Sequence, residues 1–423
     1  MEKFGQELPE RIPICAGRLS LALHGVLWAF LAAPDQKAGE VPEPESATGR
    51  AVAAMREAFA AAGVRTLGSG SLTVQQALER GRSALDSLAE QGRGAVPRVR
   101  VTLPAVDLSA WNAADHGMDG PRGELLERLH ALVQRHAPLL RLATLNGSVG
   151  SRDMKPGWSD IDVFVTLAPE AFAAPEMLQQ IRIFGAQARG LMDRFCMLQL
   201  HGVFFRCPGP AHPDGLHPLS CVAHGRNLLN ATRLSVRLEG DPGPARDYFF
   251  QDIVGSARGL LQGPRGTGCM GDVLLLHRIY SFPFAWAACF GHLLYKPESF
   301  DFLASRYGAM FPGIEEFYAR ASALYHSWDE PCATFLAAHG KEGQSLPPLS
   351  PEAMGRLEPR ACGRIRAFVA ELRDQGDLRR FARYLDIAGQ ALTRSMPAGD
   401  CLANMTASVK RLFPGAVLEH DHA

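Results

Sequence analysis

The chain has 423 residues, with 44 Lys and Arg against 44 Asp and Glu. That length builds two or three domains with a sizeable core. The zero net charge excludes a global positive field for gripping long nucleic acid and an acidic tail of the disordered kind.

The 9 cysteines form no CxxC pair and no regular framework, which reads as reduced thiols in a cytosolic protein. The first apolar run, Leu19 to Ala33, follows a mixed-charge segment with Glu7, Glu10 and Arg11, and it contains His24. A secretory signal has a basic start and an earlier apolar core, and a bilayer span needs roughly 20 apolar residues. Neither a signal nor a membrane span is expected. Residues 34–49, rich in Pro and Glu, read as a linker or exposed loop. Ala-rich helical patterns fill 50–92, broken by a Gly/Ser run at 68–71. Residues 93–121 hold one short strand candidate, "RVRVTL". From Arg122 to His136, Leu125, Leu126, Leu129, Leu132 and Val133 recur at helical spacing.

The pattern then changes. "LLRLATL" predicts a buried strand ending at Asn146, and "DIDVFVTL" predicts a second strand. Residues 176–194 predict a helix burying Met177, Leu178, Ile181, Phe184, Ala188 and Leu191, and "FCMLQLHGVFFRC" a third strand. This order describes a small α/β unit. From about Ala245 to Ser395 the chain reads as mostly helical, with a buried core helix in the apolar run Ile279–Tyr295. The terminal "EHDHA" reads as a solvated tail.

The chemistry concentrates in "LNGSVGSRDMKPGWSDIDVFVTL", residues 145–167. Alternate residues of a strand share a face, so Asp160 and Asp162 point one way while Ile161, Val163 and Val165 bury on the other. Two neighbouring carboxylates repel unless a cation lies between them, and hard oxygen donors select Mg²⁺ or Mn²⁺. Upstream, Gly147 allows close backbone approach to a phosphate. Ser148 offers a hydroxyl and an N–H, and Ser151, Arg152 and Lys155 add donors for a triphosphate. The competing structural reading has the carboxylates capping a helix or pairing with Arg152.

Gly147-Ser148, the gap 149–159 and Asp160-Ile161-Asp162 on an apolar strand resemble the signature of the polymerase beta-like nucleotidyltransferase superfamily, including Ser159 ahead of the first aspartate. The resemblance covers about residues 135–250. It implies an α+β protein: a small mixed sheet forming a nucleotidyltransferase domain, followed by a helical domain. Domains are accordingly expected at 1–120 (a helical N-terminal region with a Pro/Glu-rich linker), 121–250 (nucleotidyltransferase) and 251–423 (helical). The resemblance also implies that Asp160 and Asp162 hold the metals and that Gly147 and Ser148 bind the triphosphate.

The superfamily usually carries a third acid on a later strand, and "RFCMLQLHGVFFRC" has none inside it. Three readings stand open. His201, which shares a face with Gln199, replaces it as base or ligand. Alternatively, Asp193 reaches in from the strand's start. In the third, the site is incomplete and nucleotide binds without turnover. Lys296 in "YKPESF" is read as lying between helices, and it could contact phosphate or acceptor. Arg233 and Arg237, flanking the strand candidate "TRLSVRLEG", face either the triphosphate or the surface. Cys207, His212, His217 and Cys221 are a conceivable zinc set, though a Pro/Gly-rich loop with incidental Cys and His is preferred.

The expected function is transfer of an NMP from an NTP to a small-molecule or protein acceptor, with Mg²⁺ or Mn²⁺ as cofactor, in the cytoplasm, without long nucleic acid or membrane as partner. The alternative is a catalytically silent nucleotide-binding or interaction protein.

Overall fold

Three helices open the chain: α1 (Leu8–Ala32), α2 (Ala47–Ala61) and α3 (Val74–Gln91). A computed structural model describes residues 8–64, 67–68, 70–91, 98–104, 121–147, 161–192, 203–207, 226–229, 233–262, 268–326, 359–392 and 397–420. The helix starts follow from local chemistry. Ser46 caps α2 by accepting the Gly49 N–H at 2.9 Å. Thr73-x-x-Gln76 forms a capping box ahead of α3. Thr73 Oγ1 accepts the Gln76 N–H, and Gln76 Oε1 accepts the Thr73 N–H, each at 3.2 Å.

Strand β1 (Arg98–Pro104) precedes α4 (Pro121–Arg135), and a short 3₁₀ turn at Ala137–Leu139 leads into β2 (Leu140–Asn146). Next come β3 (Asp162–Leu167), α5 (Pro175–Met192), β4 (Val203–Arg206), β5 (Arg226–Asn227) and β6 (Arg233–Glu239). The described residues that follow are mainly helical: α6 (Gly243–Tyr248), a π-helical segment (Phe249–Gly255), α7 (Ser256–Gln262), α8 (Gly268–Cys289), α9 (Lys296–Tyr307), α10 (Ile314–His326), α11 (Pro359–Asp374), α12 (Asp377–Ala391) and α13 (Ala398–Leu412). A last strand, β7 (Val417–His420), ends the described chain. The protein is α+β, mostly helical with small sheets.

One sheet has the order β4-β3-β2-β5 and is mixed: β2 runs antiparallel to β3 and β5, and β3 parallel to β4. The other has the order β6-β1-β7 and is antiparallel. Three apolar clusters hold the elements. The first joins α1–α3 to α4, α5 and one face of the mixed sheet, from Leu19 to Leu228. The second is an aromatic-rich core from Ala245 to Leu392, centred on Phe249, Phe282, Trp286, Phe311 and Phe381. The third packs Val99, Val101 and Leu238 of the antiparallel sheet against Leu293 and the Cys401, Leu402, Met405 and Val409 positions of α13.

Several sequence expectations need correction. Met177 lies in the first turn of α5 with its side chain exposed, while Leu178, Ile181, Phe184 and Ala188 bury. Lys296 is not between helices but is the first residue of α9. The run Ile279–Tyr295 is not one helix: α8 stops at Cys289, and Gly291, at φ 76°, turns the chain. Glu419 and His420 of the expected tail belong to β7. Among the described residues, no helix is long and apolar enough to cross a membrane.

Candidate functional site

The ladder between β2 and β3 ends at the pair Asn146 and Asp162. Gly147 therefore leaves β2 beside the start of β3. Its φ is 64°, a left-handed conformation that L side chains rarely adopt. A Cβ there would also overlap Asp162 Oδ2. The backbone conformation thus favours glycine, and a Cβ would have to push aside the carboxylate of the strand opposite, which approaches the bare Cα.

The faces of β3 separate as the alternation predicts. Ile161, Val163, Val165 and Leu167 are buried in the first core. Asp162, Phe164 and Thr166 take the other face. Register adds Asn146, Thr144 and Leu142 from β2, and Phe204 and Arg206 from β4, to that same face. Asp162 is half-buried there, whereas Thr144, Asn146 and Arg206 are buried. Phe164 and Phe204 stack at 4.5 Å, and the Arg206 guanidinium lies 4.7 Å over the Phe164 ring. This places a cation on the acid-bearing face of the sheet, supported by an aromatic surface. Sequence reasoning missed Arg206. Its signal was a lone charge among the apolar residues of "VFFRC".

Strand β4 is an edge strand, and α1 covers it. Trp28 Nε1 donates to the Phe205 carbonyl at 3.0 Å, and His24 Nε2 accepts the Cys207 N–H at 3.1 Å. His24 Nδ1 lies 2.7 Å from the Ser20 carbonyl. Only an Nδ1–H can bond that oxygen, so the ring is the neutral Nδ1–H tautomer. Burial lowers the His24 pKa to about 4, against a smaller raising effect from the Ser20 bond. Helix α5 also approaches β4 closely: a Cβ on Gly185 would stand 3.0 Å from the Phe205 ring.

Of the residues singled out in the sequence, Gly147 and Asp162 are brought together. Ser148, Ser151, Arg152, Lys155, Ser159, Asp160, Asp193, Gln199 and His201 lie outside the described residues. So do His212, His217 and Cys221 of the conceivable zinc set. Their companion Cys207 is buried, and burial pushes its thiol well above the ordinary range. Among the described residues, no group of three or more His, Cys, Asp or Glu is placed to hold a metal ion. Arg233 and Arg237 belong to β6, in the antiparallel sheet.

Comparison of the chain with family models, curated proteins and solved structures returned no match.

Proposed function

We propose that this protein is a nucleotidyltransferase, moving an NMP from an NTP to a small-molecule or protein side-chain acceptor and releasing pyrophosphate. The observation that carries this reading is the seating of the Asp162 carboxylate against the left-handed Gly147 at the end of the β2–β3 ladder. It joins the two halves of the "NGS…DID" motif. The mixed four-stranded sheet, with α5 linking parallel β3 and β4, is compatible with the domain that motif implies.

Asp162 offers hard carboxylate oxygens on a half-buried polar face, which suits Mg²⁺ or Mn²⁺. With Asp160 it would hold the ion, which when bound neutralises charge on the phosphates. The Gly147 and Ser148 N–H groups would take phosphate oxygens, with Ser151, Arg152 and Lys155 as further donors. Arg206 supplies fixed positive charge to the same sheet face. The acceptor oxygen would attack the α-phosphorus as the bond to the pyrophosphate oxygen breaks. Its proton would pass to His201 or Asp193. The helical second half of the chain would wall the acceptor.

The test is pyrophosphate release across the four NTPs with an acceptor panel. Wild type should release pyrophosphate, and the Asp160→Ala/Asp162→Ala protein should not while keeping its circular dichroism. Equal release by both proteins would defeat the assignment. Wild-type binding of NTP with no release would favour the silent nucleotide-binding alternative.

A further inference from the structure

Helices α4 and α5 pack against each other and turn their apolar sides into the first cluster, through Leu129 and Val133 of one and Ile181 and Phe184 of the other. Their outer sides leave a groove of about 440 Å³. Arg128, Leu132 and Arg135 line it from α4, and Gln187, Gly190 and Leu191 from α5. Leu132 is buried and Leu191 half-buried, which gives the groove an apolar floor, while both arginines and Gln187 are exposed.

The charge here is unbalanced. No Asp or Glu lines the groove. Among the described residues neither guanidinium has a hydrogen-bond or ion-pair partner, and Glu124, one turn before Arg128, does not pair with it. Arg135 sits in the last turn of α4, where a cation suits the helix dipole. Arg128 lies two turns earlier and has no such role. Gly190 is a second, independent sign. Glycine inside a helix is unfavourable relative to alanine, and a Cβ at this position would meet nothing within 4 Å. No neighbour in this chain therefore demands the glycine. With Ala131, also exposed on the groove, it leaves room for another backbone to come close.

We propose that this groove docks an amphipathic helix of a partner protein, one that carries acidic residues two turns apart with apolar residues between them. Five of the seven lining residues are exposed, so a ligand laid here keeps one side in water. That suits a helix with a polar outer face better than a small molecule, which a pocket encloses on most sides. The two arginines are about 10 Å apart along α4. A partner helix matches that spacing with carboxylates at i and i+7, and its i+3 and i+4 side chains then fall over the apolar floor. Each guanidinium can hold a carboxylate through its planar fork of donors. The assignment does not rest on the nucleotidyltransferase reading.

The experiment uses the full chain and a fluorescein-labelled helical peptide with Glu at i and i+7 and Leu at i+3 and i+4, followed by anisotropy. The wild type should bind it saturably below about 1 mM. Arg128→Gln/Arg135→Gln should weaken binding by about tenfold or more. Gly190→Leu, whose side chain would occupy the groove, should do the same. Both variants should keep the wild-type circular dichroism, because all three positions are exposed. Absence of binding, or wild-type affinity in either variant, would overturn the proposal. So would equal binding of a scrambled peptide of the same composition, which would leave only a general attraction between charges. Tighter binding of oligothymidylate would also overturn it and assign the arginines to nucleic acid.

Discussion

The hydroxyl of Tyr318 on α10 donates to the carbonyl of Ile279 on α8 at 3.1 Å. That carbonyl lies four residues before Pro283, which has no N–H to give it. An unpartnered carbonyl in the aromatic core would be costly, and Tyr318 removes the cost. Tyr280 returns a bond in the other direction, to the Ala321 carbonyl. Tyr318→Phe should therefore cost about 1–3 kcal/mol in denaturant unfolding. Pro283→Ala should recover part of that loss in the Tyr318→Phe background, because it restores a helical donor. Strict additivity of the two changes would show that the hydroxyl has another role.

His24 gives a pH prediction. Its pKa falls from 6.5 to about 4 in the folded protein. Between these values the unfolded chain takes up a proton that the folded one refuses. The contribution of neutral His24 is complete above pH 6.5 and shrinks as pH falls toward 4, by about 3 kcal/mol in all. His24→Leu should be less stable than wild type at pH 7 by about 1–3 kcal/mol, since the Cys207 N–H loses its acceptor. The variant should also lack the wild-type decline between pH 6.5 and 4. Urea titrations across that range decide the matter.

Gly147→Ala tests the candidate site. The substitution forces a Cβ into left-handed backbone at a cost of about 1–2 kcal/mol, and it displaces the Asp162 carboxylate. Manganese-dependent nucleotide binding should fall at least tenfold, approaching that of Asp162→Asn, while melting shifts by only a few degrees. Binding at wild-type affinity in the alanine variant would separate the glycine from the site.

Asp377 is fully buried at the start of α12. It accepts from Arg320 Nε at 2.9 Å and Nη2 at 2.6 Å, with Arg380 Nη1 at 3.3 Å. Removing Arg320 takes both of these hydrogen bonds from the buried Asp377 carboxylate and leaves it only the Arg380 contact, so Arg320→Ala should lose about 3 kcal/mol. Arg258→Ala, which breaks the exposed Arg258–Asp386 pair, should change stability by less than about 1 kcal/mol. Chemical denaturation of both variants measures the contrast.

Local periodicity carried much of the fold. Leu125 through Val133 bury one side of α4 at helical spacing, and Ile161, Val163 and Val165 bury one side of β3 at strand spacing. Both signals arise within a few residues and need no knowledge of a partner. The pairing of β1 with β7 does need that knowledge, which is why Glu419 and His420 read as tail until register joins them to Arg100 and Val99. Met177 fits the apolar spacing of α5 but sits in its first turn with its side chain exposed. At the site, the closeness of Gly147 to the DxD strand was legible from spacing. Arg206 was not, because its face is set by the register of β4 on β3 and its partner ring comes from Phe164. His24 was read only as a break in an apolar run, since its acceptor role depends on Cys207, far along the chain.

The position of β1 in the middle of its sheet has a consequence for biosynthesis. A ribosome delivers residues 98–104 well before residues 233–239, and long before residues 417–420. Until those later segments emerge, the nascent chain carries a ribbon with one apolar side, Val99 and Val101, and with both flanks open. Such distant closure slows assembly and exposes the growing polypeptide to association with its neighbours on the polysome. The yield of native protein should therefore respond to translation speed and to holdase supply more than its finished stability would suggest.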